Sequence, residues 1–222
     1  MKEKFIVKYM MMAKEVGTRF NPCFSRHIGI LIVDPVRNAP ISTGYNGPPE
    51  GTPHCDTKEF LSGFFWPQLT QVEKEKACES VRGLHEICEV NEDFFMSRAV
   101  GKKVCPRRYV GAESGQRTTL CSCAHAERNA INRAPMPVHK MEMFCWCGVP
   151  CMDCTSAIIQ SGIDKVHCLK TDGPDYFPQS RWMFAVSGVI LREYSQEFLE
   201  NYGNNWLAVT TRWITKRWDE PS

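Results

Sequence analysis

The first segment of the chain has a helical rhythm. Phe5, Ile6, Tyr9, Met10, Ala13 and Val16 fall on one face when wound at about 3.6 residues per turn. That stripe predicts an amphipathic helix laid against a core. Two short apolar runs follow, 28–33 and 40–45, with Asp34, Pro35, Arg37 and Asn38 between them. Their lengths and the turn residues predict a strand, a turn and a second strand. The stretch from Gly44 to Gly51, GYNGPPEG, is turn chemistry throughout and predicts a rigid loop.

From residue 56 to 104 the pattern changes. Charges of both signs are mixed (TQVEKEKACESVRGLHEI) with no strand alternation. An irregular loop of that length is unusual in a compact fold, so a mostly helical insertion into one domain spanning 1–222 is expected. From Leu120 onward the patterns alternate: helix over 126–134, strand over 141–147, helix over 151–161, strand over 165–170, helix over 181–187 and strand over 189–192. This alternation predicts an α/β sandwich whose sheet is largely parallel in its second half. The tail, 203–222, carries Trp206, Trp213 and Trp218 with Arg212, Lys216 and Arg217. Basic aromatic stretches can stack on bases, but a helix covering a core or a subunit contact is the favoured expectation.

Composition narrows the class only slightly. Hydrophobic residues make up 43% and charged residues 23% of 222, with a formal net charge of +2, ordinary for a globular chain. That balance offers no footprint for nucleic acid or membrane. No apolar run is long enough to span a bilayer, and MKEKFIVKYMMMAKEVG carries charges through its apolar stretch without a small-residue cleavage site. The expectation is a soluble, cytoplasmic protein. Twelve cysteines are unusual, and in a reducing compartment they point to metal rather than disulfides. Cys145, Cys147 and Cys168 lie in strand-like runs and are expected to be small buried hydrophobes.

The strongest signal is His125-Ala126-Glu127 followed by Pro150-Cys151-Met152-Asp153-Cys154. Each half is common by chance; in this order, with a predicted strand before the second, they are specific. They match the H-x-E…P-C-x-x-C signature of zinc-dependent nucleobase deaminases. The chain resembles the cytidine/deoxycytidylate deaminase superfamily. Two thiolates and one imidazole make a three-ligand zinc site that leaves a fourth position for water, whose pKa zinc lowers towards neutrality. A C-x-x-C at a helix start lets both sulfurs converge where the helix dipole favours thiolate. Glu127, beside ligand His125, is expected to shuttle a proton from that water to cytosine N3 and then to departing ammonia. The bland alternative is a structural His/Cys/Cys site, which would normally recruit a fourth protein ligand.

Further resemblances place a pocket and a second metal. Ser42 to Pro49, STGYNGPP, is similar to the substrate loop of deoxycytidylate deaminases. This implies that Asn46 contacts the nucleotide sugar, with Ala126 as a second substrate contact. An incidental tight turn is the alternative. The run 105–131, CPRRYVGAESGQRTTLCSCAHAERNAI, is similar to bacterial-type members, and this resemblance implies a structural zinc held by Cys23, Cys55, Cys105 and Cys121. Cys123, His54, Cys78 and Cys88 compete as ligands. Arg26, Arg107 and Arg108 are candidates for the phosphate. The chain departs from the family in its insertion, in Cys147 where threonine is frequent, and in Met136 where regulated members carry a basic effector contact.

The resemblance implies hydrolytic deamination of dCMP to dUMP. The expected fold is a three-layer α/β/α sandwich on a five-stranded mixed sheet, with a helical insertion and the site at the N-termini of two helices. The implied cofactors are one catalytic zinc and a second, structural one. The implied partners are a small deoxycytidine nucleotide and further copies of the chain in a homo-oligomer, often a hexamer. Turnover of dCTP or a 5-substituted deoxycytidylate is the near alternative. A polynucleotide deaminase and a catalytically silent zinc protein are more distant ones.

Overall fold

A computed structural model describes residues 2–84, 86, 90–113, 115–171 and 177–202. Cys88 and the aromatic tail 203–222 lie outside the described residues. Along the chain run α1 (Glu3–Arg19), β1 (Gly29–Asp34), β2 (Ala39–Tyr45), α2 (Lys58–Phe60), α3 (Gln71–Val81), α4 (Glu92–Ala99), α5 (Pro106–Tyr109), α6 (Ala126–Asn132), β3 (Glu142–Cys145), α7 (Met152–Gln160), β4 (Lys165–Leu169), α8 (Pro178–Ser187) and β5 (Ile190–Tyr194). The described residues group into two compact units: those within 2–21, 28–46 and 125–202, and those within 22–27 and 47–124. Among the described residues no helix is long and apolar enough to cross a membrane.

The first unit is built on a five-stranded open sheet in the order β2-β1-β3-β4-β5. β1 pairs antiparallel with both β2 and β3, while β3, β4 and β5 run parallel. The mixed sheet and its parallel second half are as the sequence pattern predicts. The strand period of two sorts the side chains between faces. Ile30, Ile32, Met143, Cys145, Val166 and Cys168 join Ala126 and Ala130 of α6, Ile158 of α7 and Phe184 of α8. Leu31, Val33 and Phe144 turn the other way, onto Val7, Tyr9, Met10 and Ala13 of α1. Helices therefore cover both faces, completing a three-layer α/β/α sandwich.

The buried stripe of α1 differs from the predicted one. Val7, Tyr9, Met10, Ala13 and Gly17 are buried, whereas Phe5, Ile6 and Val16 are only half-buried. The reason lies in Gly29: a Cβ built there would stand 2.0 Å from the Ala13 carbonyl oxygen and 2.3 Å from the Gly17 nitrogen. The helix backbone rests directly on β1, so the small residues Ala13 and Gly17 set its rotation.

The second unit holds α2 to α5. The mixed-charge run becomes α3, started by Thr70 and Glu73 in a reciprocal capping box. Asn91 caps α4 through its side chain. An aromatic cluster fills the interior: Trp66 stacks on Phe95 at 5.3 Å, Phe95 meets Tyr109 edge-on at 5.1 Å, and Phe65 lies 5.9 Å from Phe95.

Candidate active site and metal centre

α6 and α7 leave the sheet side by side. His125 is the N-cap residue of α6 and Cys151 that of α7, with Cys154 in the first turn of α7. Pro150 precedes the cap, where a missing N–H costs nothing. His125 Nδ1 lies 3.4 Å from the sulfur of Cys151 and 3.4 Å from that of Cys154. All three ligand atoms fall within 4.8 Å of one another. A tetrahedral zinc with ordinary Zn–N and Zn–S bonds would set nitrogen and sulfur about 3.5 Å apart, so the donors fit that ion without rearrangement. His125 is the exposed member and Cys154 the buried one, which leaves the fourth position on the open side. The Cys154 thiol donates to Cys151 and, with a contribution from His125, holds the Cys151 thiol down to about 4. Cys151 is thus a thiolate at neutral pH, the form a metal takes.

Glu127 stands in the same turn as His125 but points inward, 3% exposed. Burial pushes its carboxyl above the ordinary carboxylate range, and its Oε2 has no hydrogen-bond partner. A buried carboxylate oxygen left unpaired is costly unless a water, ion or ligand comes to it. The structure therefore brings together the four residues of the deaminase signature: three donors and one orphaned carboxyl oxygen.

The sequence matches the family described as the cytidine and deoxycytidylate deaminase zinc-binding region over residues 3–170. This chain belongs to that family. A deoxycytidylate deaminase from Schizosaccharomyces pombe is 26% identical over 187 residues, which cover 84% of this chain. The chain spans only 42% of that relative's length. The dCMP deaminase of cyanophage S-TIM5 is similar in its apo form, with a TM-score of 0.48 and 18% identity, covering 87% of this chain and 100% of that one. Its complex with dCMP and dUMP gives a TM-score of 0.48 and 19% identity over 87% of this chain and 99% of that one.

The two expected substrate contacts are neighbours. Asn46 is 7% exposed at the end of β2, and its Oδ1 accepts the Ala126 N–H at 2.9 Å. Cys147 lies half-buried past the end of β3, with its thiol hydrogen-bonded to the fully buried Cys145. Cys168 is also fully buried. Met136 is exposed. The phosphate candidates Arg26, Arg107 and Arg108 all belong to the second unit, where Arg107 Nη1 donates to the Gln116 carbonyl at 2.8 Å.

The four cysteines expected to bind a structural zinc also lie in the second unit. Cys123 hydrogen-bonds to both Cys23 and Cys121, holding their thiols down to about 5 and about 6. Burial first, then the neighbouring cysteines, pushes the Cys55 thiol up to about 12. Of the competing ligands, His54 has both ring nitrogens engaged, 2.7 Å from Asp56 Oδ1 and 3.0 Å from the Pro22 carbonyl. Cys78 donates to the Asn91 carbonyl at 3.7 Å. Cys123, one of the competing ligands, thus lies against two of the four expected cysteines.

Proposed function

We propose that the chain catalyses the zinc-dependent hydrolytic deamination of dCMP to dUMP. The observation that carries the reading is the buried, unpaired Oε2 of Glu127 in the same helical turn as His125, whose Nδ1 faces Cys151 and Cys154. Zinc held by those three residues supplies Lewis acidity that makes water nucleophilic near neutral pH. Glu127, whose unpaired Oε2 stands in the same turn as His125, is the group placed to carry a proton. It receives that proton from the attacking water and passes it to N3 of cytosine as the new C4–O bond forms. The remaining proton, from the new C4 hydroxyl, then passes by way of Glu127 to the amino group as the C4–N bond breaks, releasing ammonia and leaving the carbonyl of dUMP. Asn46 orients the sugar, and the choice of a small nucleotide follows from the STGYNGPP loop and the deoxycytidylate deaminase relative.

The same reading includes a second, structural zinc among Cys23, Cys55, Cys105 and Cys121, with Cys123 against two of them. It also includes self-association as a homo-oligomer, a hexamer being one form, testable by light scattering. Ammonia release from dCMP, dCTP, deoxycytidine and a cytosine-containing oligonucleotide tests the substrate. Turnover of dCMP alone supports the reading, and turnover of another member overturns the substrate. Glu127→Gln tests the mechanism: zinc is retained and turnover falls by about a hundredfold or more. Full activity in that variant removes Glu127 from the proton path.

A further inference from the structure

We propose that Asn46 is a positioning residue: its side-chain carbonyl caps α6 from outside the helix and fixes where His125 and Glu127 stand. This rests on reading His125, Cys151 and Cys154 as the zinc donors and Glu127 as the proton carrier. It adds to the expected sugar contact of Asn46 a role exerted on the protein itself.

The first four N–H groups of a helix have no partner within it, and an N-cap side chain ordinarily meets only those of the second and third residues. Here the N-cap is His125, and its side chain makes no capping hydrogen bond. Its ring is committed to the two sulfurs instead. Both contacts use Nδ1, the ring nitrogen nearer the backbone, so that atom is not free to accept from the helix. Ala126, the first residue of α6, is fully buried, so water is no substitute. Asn46 Oδ1, just past the end of β2 and 80 positions earlier in the chain, accepts from this first N–H.

The cap is the metal-side end of a longer seam. Asn129 Nδ2 donates to the Tyr45 carbonyl at 2.8 Å, and Ser42 Oγ donates to the Ala130 carbonyl at 2.7 Å. β2 thus holds α6 at Ala126, Asn129 and Ala130. The Asn129 and Ala130 links fix the body of the helix and would survive loss of Asn46. The Ala126 link sits between ligand His125 and proton carrier Glu127. Loosening it would blur a constellation whose chemistry is sensitive to sub-ångström placement.

The test compares the wild-type zinc enzyme with Asn46→Ala and Asn46→Asp, the latter keeping an acceptor oxygen at the same reach. Three readouts are followed: hydrogen exchange at the Ala126 amide, the rate of zinc release to a chromogenic chelator, and kcat and KM for dCMP. In Asn46→Ala, exchange at Ala126 accelerates, zinc leaves about three- to thirtyfold faster, and kcat falls. In Asn46→Asp, exchange and zinc release return to within about twofold of wild type, as a restored cap requires. A raised KM in Asn46→Ala with unchanged exchange and zinc release would overturn the proposal, leaving a substrate contact only. Equally fast zinc release from both variants would also overturn it, because the acceptor oxygen would then be irrelevant. Wild-type protein that holds no zinc or deaminates nothing sinks the underlying reading instead, while exchange at Ala126 still reports on the cap.

Discussion

Gly44 lies so close to α6 that a Cβ built on it would stand 2.1 Å from the Ala126 carbonyl oxygen and 2.5 Å from the Ala130 nitrogen. The neighbouring atoms are backbone, so neither can swing aside. The glycine of the GYNG loop is therefore there for contact between backbones.

Gly44→Ala is expected to destabilise the protein by at least about 2 kcal/mol and to weaken zinc binding, because the helix carrying His125 must shift. Gly29→Ala, equally crowded but beneath α1, is the control. It should cost similar stability while leaving zinc affinity of the folded protein unchanged. Denaturant titration and chelator competition on the pair would separate the two effects.

Glu142 is buried on β3, where His167 Nε2 lies 3.0 Å and Lys165 Nζ 2.9 Å from its carboxylate oxygens. Tyr194 continues the chain from His167 Nδ1 at 3.0 Å, and Phe144 stacks flat on the imidazole at 4.3 Å. His167 first, then Lys165, holds the Glu142 carboxyl down to about 2 from an ordinary 4.5. A depressed carboxylate adds stability above its unfolded pKa and loses it as pH falls through the folded one. The wild-type protein should thus lose on the order of 3 kcal/mol between pH 4.5 and 2 from this group. In Glu142→Gln that acid loss should largely vanish, with the variant already weaker at pH 7. Urea midpoints across that range measure it.

Cys123→Ser addresses the thiol cluster of the second unit. With Cys123 bonded to Cys23 and Cys121, its replacement should lower zinc content from about two ions per chain to about one, with the catalytic ion retained. An unchanged zinc count would leave Cys123 outside the ligand set of Cys23, Cys55, Cys105 and Cys121. Metal analysis on gel-filtered protein decides between the sets.

Phe95→Ala removes the ring that Trp66, Phe65 and Tyr109 surround. A loss of about 3–5 kcal/mol is expected, as for a large aromatic cut from a packed core. Hydrogen exchange should rise first in α3 and α4 and leave β1 and β3 protected.

The sheet and the metal donors could be read from the residues because both are local patterns. Short apolar runs at 28–33 and 40–45 with turn residues between them place β1 and β2, and the spacing of Cys151 and Cys154 puts both sulfurs on one helical turn. What remained hidden depends on backbone meeting backbone. The rotation of α1 is set by Gly29 against Ala13 and Gly17, a contact that hydrophobic periodicity does not encode. The resemblance implies a sugar contact for Asn46, but its bond to Ala126 joins residues far apart in sequence, which no local pattern encodes. Cys123 was masked by abundance: with twelve cysteines, spacing alone does not pick four.

Gly47 and Ala124 form an antiparallel bridge, each donating to the other's carbonyl at 3.3 and 2.8 Å. The long stretch between them therefore begins and ends at one doorway, next to Asn46 on one side and His125 on the other. A two-residue hairpin turn can close such a gap. Because both ends of the stretch meet at one bridge, its length can change without altering the strand order β2-β1-β3-β4-β5.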